Sequence, residues 1–223
     1  MKLISFGDSW ANGCELLEGE KPFGELIAKK FKIDFIKTAK PSTSLSHLLV
    51  QFTQSAKDFN PGDIALFFLT SPSRELVWDH EGNEVNIFPH NKSDIAETWY
   101  KQYQTLEYDT HRANTILLAL QNLCKQYQLR DFYVWGWTSV ELWENIDRSK
   151  FFCNGNKTLL ETLSLPHYHQ SQRYRNDLVT FNSNNDTLFP RLSGHPSQAG
   201  HQAIADILEK LILQDLDLKL MFC

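Results

Sequence analysis

The sequence predicts an α/β fold, a doubly wound and mainly parallel sheet with helices on both faces. Leu3 to Phe6 is a short apolar run and Ile64 to Leu69 a continuous one, and such runs are typical of strands buried on both faces of a parallel sheet. Amphipathic stretches with helical spacing lie between such runs. Strands that alternate with helices in this way favour a parallel sheet.

The first half of the chain reads as alternating strands and helices. Gly7 ends the first strand, and apolar residues at helical spacing from Phe23 to Phe31 predict the first helix. Ile33 to Ala39 predict the second strand, and Ile64 to Leu69 the third. Between them, the clearest helix runs from Ser44 to the Asn60-Pro61-Gly62 break and carries one apolar face, formed by Leu45, Leu48, Leu49, Phe52, Ala56 and Phe59.

The second half is less regular. Residues 76–88 have the pattern of a hairpin, a helix occupies much of Asp94 to Gln128, and Phe132 to Trp137 predict a fourth strand. Residues 139–194 have weak periodicity and yield only short helical candidates such as Thr158 to Leu163. The last helix begins near Ser197. No linker or repeat divides the chain, so we interpret residues 1–223 as one domain with a cap inserted at about 71–110.

Composition excludes several classes of function. The net charge is −5 and the basic residues are scattered, which argues against a nucleic-acid partner. The 4 cysteines are far apart in sequence, as in reduced cytosolic proteins, and no apolar run is long enough to cross a membrane. We therefore expect a cytoplasmic location and no membrane partner. No glycine-rich phosphate-binding loop and no set of metal ligands is visible, so we predict neither cofactor nor metal.

The turn after the first strand carries the first candidate for chemistry. In open α/β sheets, ligands bind at the carboxyl ends of the strands, where Gly7-Asp8-Ser9 stands. A serine there is presented at the rim of the sheet, and its own N–H can face a developing oxyanion. The same tripeptide also suits an ordinary turn or a helix N-cap.

A serine nucleophile needs a base, and a neutral histidine is the usual partner. His195 stands directly before the last helix, and Pro196 favours an extended conformation for it. A loop in this place can return to the edge that carries Ser9. The alternative is a surface histidine that precedes an N-capping Ser197.

Taken together, Gly7-Asp8-Ser9 and the segment His195-Pro196-Ser197-Gln198-Ala199-Gly200-His201 resemble the first and fifth sequence blocks of the SGNH (GDSL-like) hydrolases. The resemblance implies a flavodoxin-like fold, Ser9 as nucleophile and His195 as base. It also implies an oxyanion hole formed by the backbone N–H groups of Ser9 and Ser42, with Ser73 or Arg74 as a third donor. Ser42 stands where the family has a glycine.

The remaining blocks depart from the family pattern. Thr70-Ser71-Pro72-Ser73-Arg74 replaces the asparagine-containing third block and resembles a turn in a phage and marine bacterial subset of the family. Arg74 then either binds an anionic group of the substrate or the oxyanion, or forms a surface salt bridge. The family's acid stands three residues before the histidine, where this chain has Leu192. Asp186 is either a distant orienting acid or a solvated loop residue, so we prefer a Ser–His dyad.

These residues predict a serine esterase that acts on a small ester, and the family resemblance suggests an acetyl or other short acyl group on a carbohydrate or a related small polar molecule. The substrate rests on the family resemblance alone. Two alternatives remain open, namely a catalytically degenerate binding protein on the same fold and a flavodoxin-like module that binds a nucleotide or cofactor. The sequence contains no signal for an oligomeric state.

Overall fold

A parallel sheet organises the molecule. The structure, a computed structural model, describes residues 1–89, 91–163, 188 and 195–220. In chain order the strands are β1 (Lys2–Phe6), β2 (Asp34–Lys37), β3 (Ile64–Leu69), β4 (Glu75–Trp78), β5 (Glu84–Ile87) and β6 (Arg130–Trp135). The main sheet has 4 strands in the order β2-β1-β3-β6, all paired in parallel, and β4 with β5 forms a separate antiparallel hairpin.

Helices connect these strands and flank the sheet. They are α1 (Ser9–Asn12), α2 (Phe23–Phe31), α3 (Leu45–Ser55), α4 (Asp94–Gln102), α5 (Leu106–Gln126), α6 (Leu159–Leu163) and α7 (Gln198–Leu220). Short 3₁₀ turns occupy Ala56–Asp58, Arg148–Lys150 and Phe152–Gly155. Within the described ranges, no helix combines the length and apolar character that a membrane span requires.

The sheet separates two hydrophobic cores. Alternate residues of β3 point to opposite faces, as the period of a strand requires. Ile64, Leu66 and Phe68 pack with α1, α2, α6 and α7, whereas Ala65, Phe67 and Leu69 pack with α3 and α5. Both faces of the sheet are therefore covered by helices, and the predicted fold class is confirmed.

An aromatic ladder crosses the face that packs against α3 and α5. The rings of Phe6, Phe67, Tyr133 and Phe151 lie on neighbouring strand positions and stack in turn at centroid distances of 4.7, 4.9 and 4.8 Å. Each stacked pair adds to the stabilisation from apolar burial. Aromatic residues make up 13% of the chain, and the ladder accounts for part of this content.

The structure differs from the sequence predictions in several elements. The single helix expected within residues 94–128 is two helices, because the chain leaves helical geometry after Tyr103 and Thr105 caps α5 by accepting a hydrogen bond from the N–H of Tyr108. The short helix α1 was not predicted, since four residues are too few for a periodic pattern. Residues 71–110 form the β4–β5 hairpin, α4 and the start of α5.

Candidate active site

Ser9 lies at the carboxyl end of β1, as the first residue of α1. The turn before it needs a glycine, because Gly7 has a φ of +144° and a Cβ atom there would come within 2.8 Å of Cβ of Phe68. Asp8 caps α1, and its Oδ1 accepts a hydrogen bond of 3.0 Å from the N–H of Trp10. The sequence therefore turns sharply at Gly7 and presents Ser9 at the edge of the sheet.

A buried glutamine of α3 holds this turn. The side-chain amide of Gln51 accepts from the N–H of Gly7 at 2.9 Å and donates to the carbonyl of Gly7 at 2.9 Å. The same carbonyl accepts hydrogen bonds from the N–H of Lys40 and the hydroxyl of Thr43, both at 3.1 Å. The turn after β1 and the loop after β2 are thus joined at one peptide group.

Ser42 lies in that loop and adopts a conformation that favours glycine. Its φ is +60°, in the left-handed region, and its side chain is exposed. The family resemblance places a glycine at this position, which is the residue that adopts a positive φ most readily. The loop is anchored on both sides, because Asn12 donates to the carbonyl of Ala39 at 2.7 Å and Ser44 donates its N–H to Asn86 of β5 at 3.0 Å.

Arg74, from the turn after β3, is an ion-pair partner of the Ser9 turn. Its Nη1 lies 3.0 Å from Oδ2 of Asp8, whose side chain is fully buried, and 3.4 Å from the carbonyl of Thr43. The guanidinium also lies over the ring of Phe88, at 5.7 Å from its centroid. Arg74 compensates a buried carboxylate, and it joins the loops that follow the first three strands of the main sheet.

Arg112 of α5 fixes the same turn from the other side. It donates to the carbonyls of Pro72 and Arg74, and it pairs with the buried carboxylate of Glu75 at 2.6 Å. Tyr100 donates its hydroxyl to the carbonyl of Ser73 at 2.7 Å. Burial raises the pKa of Tyr100, so this hydroxyl stays a donor across the physiological range. The backbone of Ser73 and Arg74 is therefore held by two half-buried polar side chains.

The segment that carries His195 lies against the loop after α1. Nδ1 of His195 is 3.2 Å from Oε1 of Glu15. Nearby, Gln198 accepts from the N–H of Lys21 at 2.6 Å, and Nδ1 of the buried His201 accepts from the N–H of Phe23 at 3.2 Å. The start of α7 thereby docks on the chain between α1 and α2.

The structure places the predicted residues as follows. Ser9 begins α1, and Ser42, Ser73 and Arg74 belong to loops at the same carboxyl edge of the sheet. Contacts of Gly7, Asp8 and Thr43 join these segments. Among the described residues, no hydrogen bond joins Ser9 to His195. Asp186 lies outside the described residues.

Sequence reasoning missed Glu15 and Gln51. Glu15 could have been considered as an acidic residue in the loop directly after the Ser9 block. Gln51 shows a weaker signal, a polar residue that borders the apolar face of the Ser44 to Asn60 helix, one turn after Leu48. Neither signal indicates which distant residue the side chain contacts.

Comparisons with protein-family models and with curated proteins give no significant match. Solved structures do match along nearly the whole chain. A G-D-S-L family lipolytic protein from Desulfitobacterium hafniense has 11% identity and a TM-score of 0.50, with 94% of this chain and 98% of that chain covered. A psychrotrophic esterase from a Pseudoalteromonas species has 12% identity and a TM-score of 0.50, with coverage of 97% and 98%.

These likenesses, together with the parallel sheet and the serine turn after β1, define the class of fold. The chain has an SGNH-like hydrolase fold. At this level of identity the comparison establishes the fold alone, because one fold hosts many different functions.

Proposed function

We propose that the protein is a serine esterase in which Ser9 is the nucleophile and His195 the general base. The observation that carries this proposal is the docking of the His195 segment on the loop that follows Ser9, on an SGNH-like fold. The Pseudoalteromonas neighbour, named an esterase and solved with a monoethylphosphonate inhibitor, supports the same class of reaction. The substrate is a small ester, and an acyl group on a carbohydrate fits the family resemblance.

The reaction proceeds in two steps through an acyl-enzyme. Oγ of Ser9 attacks the ester carbonyl carbon while the imidazole of His195 takes the hydroxyl proton and passes it to the leaving alcohol. Water, activated by the same imidazole, then attacks the acyl carbon and releases the acid and free Ser9. No cofactor or metal takes part in either step.

The tetrahedral oxyanion needs donors that are already in place. Among the described residues, no hydrogen bond uses the backbone N–H of Ser9, Ser42 or Ser73, which supports their assignment as the oxyanion hole. We assign the substrate-facing role of Arg74 to Nη2 and Nε, because Nη1 is engaged by Asp8 and Thr43. In this arrangement residues 71–110 border the entrance to the active site on the side of Arg74.

A phosphonate probe and a panel of esters test the proposal. We expect a fluorophosphonate to label the wild type, Ser9→Ala to abolish labelling, and His195→Ala to slow it by about a hundredfold, the scale of general-base assistance. Ser149→Ala, a substitution at an exposed serine, is the matched control and keeps the wild-type rate. Rates of hydrolysis of short-chain aryl esters and acetylated sugars then show which acyl group and which alcohol the enzyme prefers.

Two results would contradict the proposal. A folded wild-type protein that neither reacts with the probe nor hydrolyses any ester of the panel is a binding protein on a hydrolase fold. Labelling that persists in Ser9→Ala would place the nucleophile elsewhere.

A further inference from the structure

An acidic side chain reaches His195 from the loop that follows the proposed nucleophile. Oε1 of Glu15 lies 3.2 Å from Nδ1 of His195, although the two residues are 180 positions apart in the chain. We propose that Glu15 is the positioning residue for the imidazole of His195, an inference that rests on the esterase function proposed above. The site would then be a Ser9–His195–Glu15 triad rather than a dyad.

The backbone around Glu15 is shaped to bring this acid back toward α7. Gly13 ends α1 in the left-handed region with a φ of +79°, and its N–H bonds to the carbonyls of Ser9 and Trp10. Glu15 itself has a φ of +67°, which is uncommon for a residue with a long side chain. Unfavourable backbone geometry of this kind clusters at functional sites, where surrounding contacts maintain it.

The contact has a defined chemical consequence. An ionised carboxylate only accepts hydrogen bonds, so the proton of a neutral His195 resides on Nδ1 when that nitrogen faces Glu15. Nε2 is then unprotonated and able to take the proton of Ser9. When the imidazolium forms, the adjacent carboxylate stabilises it without itself taking up a proton. The position of this acid differs from the family pattern, which places it three residues before the histidine.

The Glu15–His195 pair is partly exposed, so an effect of Glu15 on activity can be measured without a large effect on stability. The side chain of Glu15 is 50% exposed and that of His195 is 21% exposed. Exposed ion pairs contribute little to stability, so substitution of Glu15 should leave the melting temperature almost unchanged. A loss of activity in a normally folded variant therefore reports on the orientation of the base.

Steady-state kinetics test the proposal with a matched control. We expect Glu15→Gln to lower kcat by at least about tenfold with KM changed by less than about twofold, because the lost interaction acts in the transition state. Glu15→Asp should recover part of the rate, since it keeps the charge. Glu18→Gln, at an exposed glutamate of the same loop, makes the same change of charge and keeps the wild-type rate. Equal rates in Glu15→Gln and Glu18→Gln would overturn the assignment.

Nitrogen NMR of the histidine side chains gives a readout that does not need activity. With the signal assigned by His195→Ala, the wild type should show the tautomer protonated on Nδ1, and Glu15→Ala should lose that preference. A wild-type His195 protonated on Nε2 overturns the proposal. An inactive wild type overturns the esterase function, and the NMR result still decides whether Glu15 orients the ring.

Discussion

At the residue scale, the geometry of the Ser9 turn depends on polar side chains that other elements of the fold contribute. Gln51 satisfies both polar groups of Gly7, and Arg74 compensates the buried carboxylate of Asp8. Such groups cost free energy when they lose their partners inside a protein. The position of Ser9 is therefore determined by buried polar pairs contributed by α3 and by the turn after β3.

Gln51→Leu tests this at a single residue. The substitution leaves the buried N–H of Gly7 without its acceptor, and we expect the free energy of unfolding to fall by about 1–3 kcal/mol. Chemical denaturation measures the change. Gln54→Leu introduces the same side chain at an exposed position of the same helix and should change stability by less than about 0.5 kcal/mol. Equal effects of the two substitutions would show that the hydrogen bonds between Gln51 and Gly7 do not stabilise the fold.

At the scale of elements, α7 is joined to the N-terminus of α2 by a buried histidine. His201 stacks on the ring of Phe23 and accepts the hydrogen bond of its N–H. Burial, and to a smaller extent the charge of His195, lowers the pKa of His201 from 6.5 to about 4. The contact between the helices therefore requires the neutral imidazole.

This contact should make stability depend on pH. Because the folded pKa lies below the unfolded one, His201 has no effect above about pH 6.5, and it destabilises the fold progressively as the pH falls toward 4. The full shift corresponds to a loss of about 3 kcal/mol. Chemical denaturation at pH 7 and pH 4 measures the loss of stability in the wild type and in His201→Gln. The loss should be smaller in the variant by the contribution of His201.

The exposed His111 of α5 supplies the control for that comparison. Its side chain is 63% exposed, and His111→Gln should retain the wild-type dependence on pH. If His201→Gln loses as much stability between the two pH values as the wild type does, another group is responsible for the acid sensitivity.

At the scale of the whole molecule, two hydrophobic cores share one sheet. Every residue of β3 is buried, and its alternate side chains belong to the two cores. A strand that is shared in this way should couple the cores, so we expect them to unfold together, as the single-domain interpretation requires.

Leu117→Ala and Leu208→Ala place one cavity in each core. Each should lower the free energy of unfolding by about 2–5 kcal/mol, and hydrogen exchange of the β3 amides should accelerate in each variant by the factor that its own loss of stability predicts. Leu213→Ala, at a side chain that is 39% exposed, is the control with a small effect. A variant in which one core unfolds while the β3 amides remain protected would indicate two independent units.

The elements that the sequence predicted are those with strong local patterns. Examples are the apolar runs of β1 and β3 and the apolar face of α3. Burial of a strand or of one helix face requires apolar residues at a regular spacing, and this spacing is visible in the sequence. The Ser9 turn was predictable for the same reason, since glycine and a helix-capping aspartate act within four residues. The break between α4 and α5 was not predicted, because neither a glycine nor a proline marks it in residues 94–128.

The sequence by itself determined the fold class and the two motifs that carry Ser9 and His195. Only the tertiary structure decided which side chains support them, since Glu15 meets His195 and Gln51 meets Gly7 across gaps of 180 and 44 residues. Such pairs obey no periodicity. They depend on the order of the strands in the sheet, which brings together segments that are far apart in the sequence.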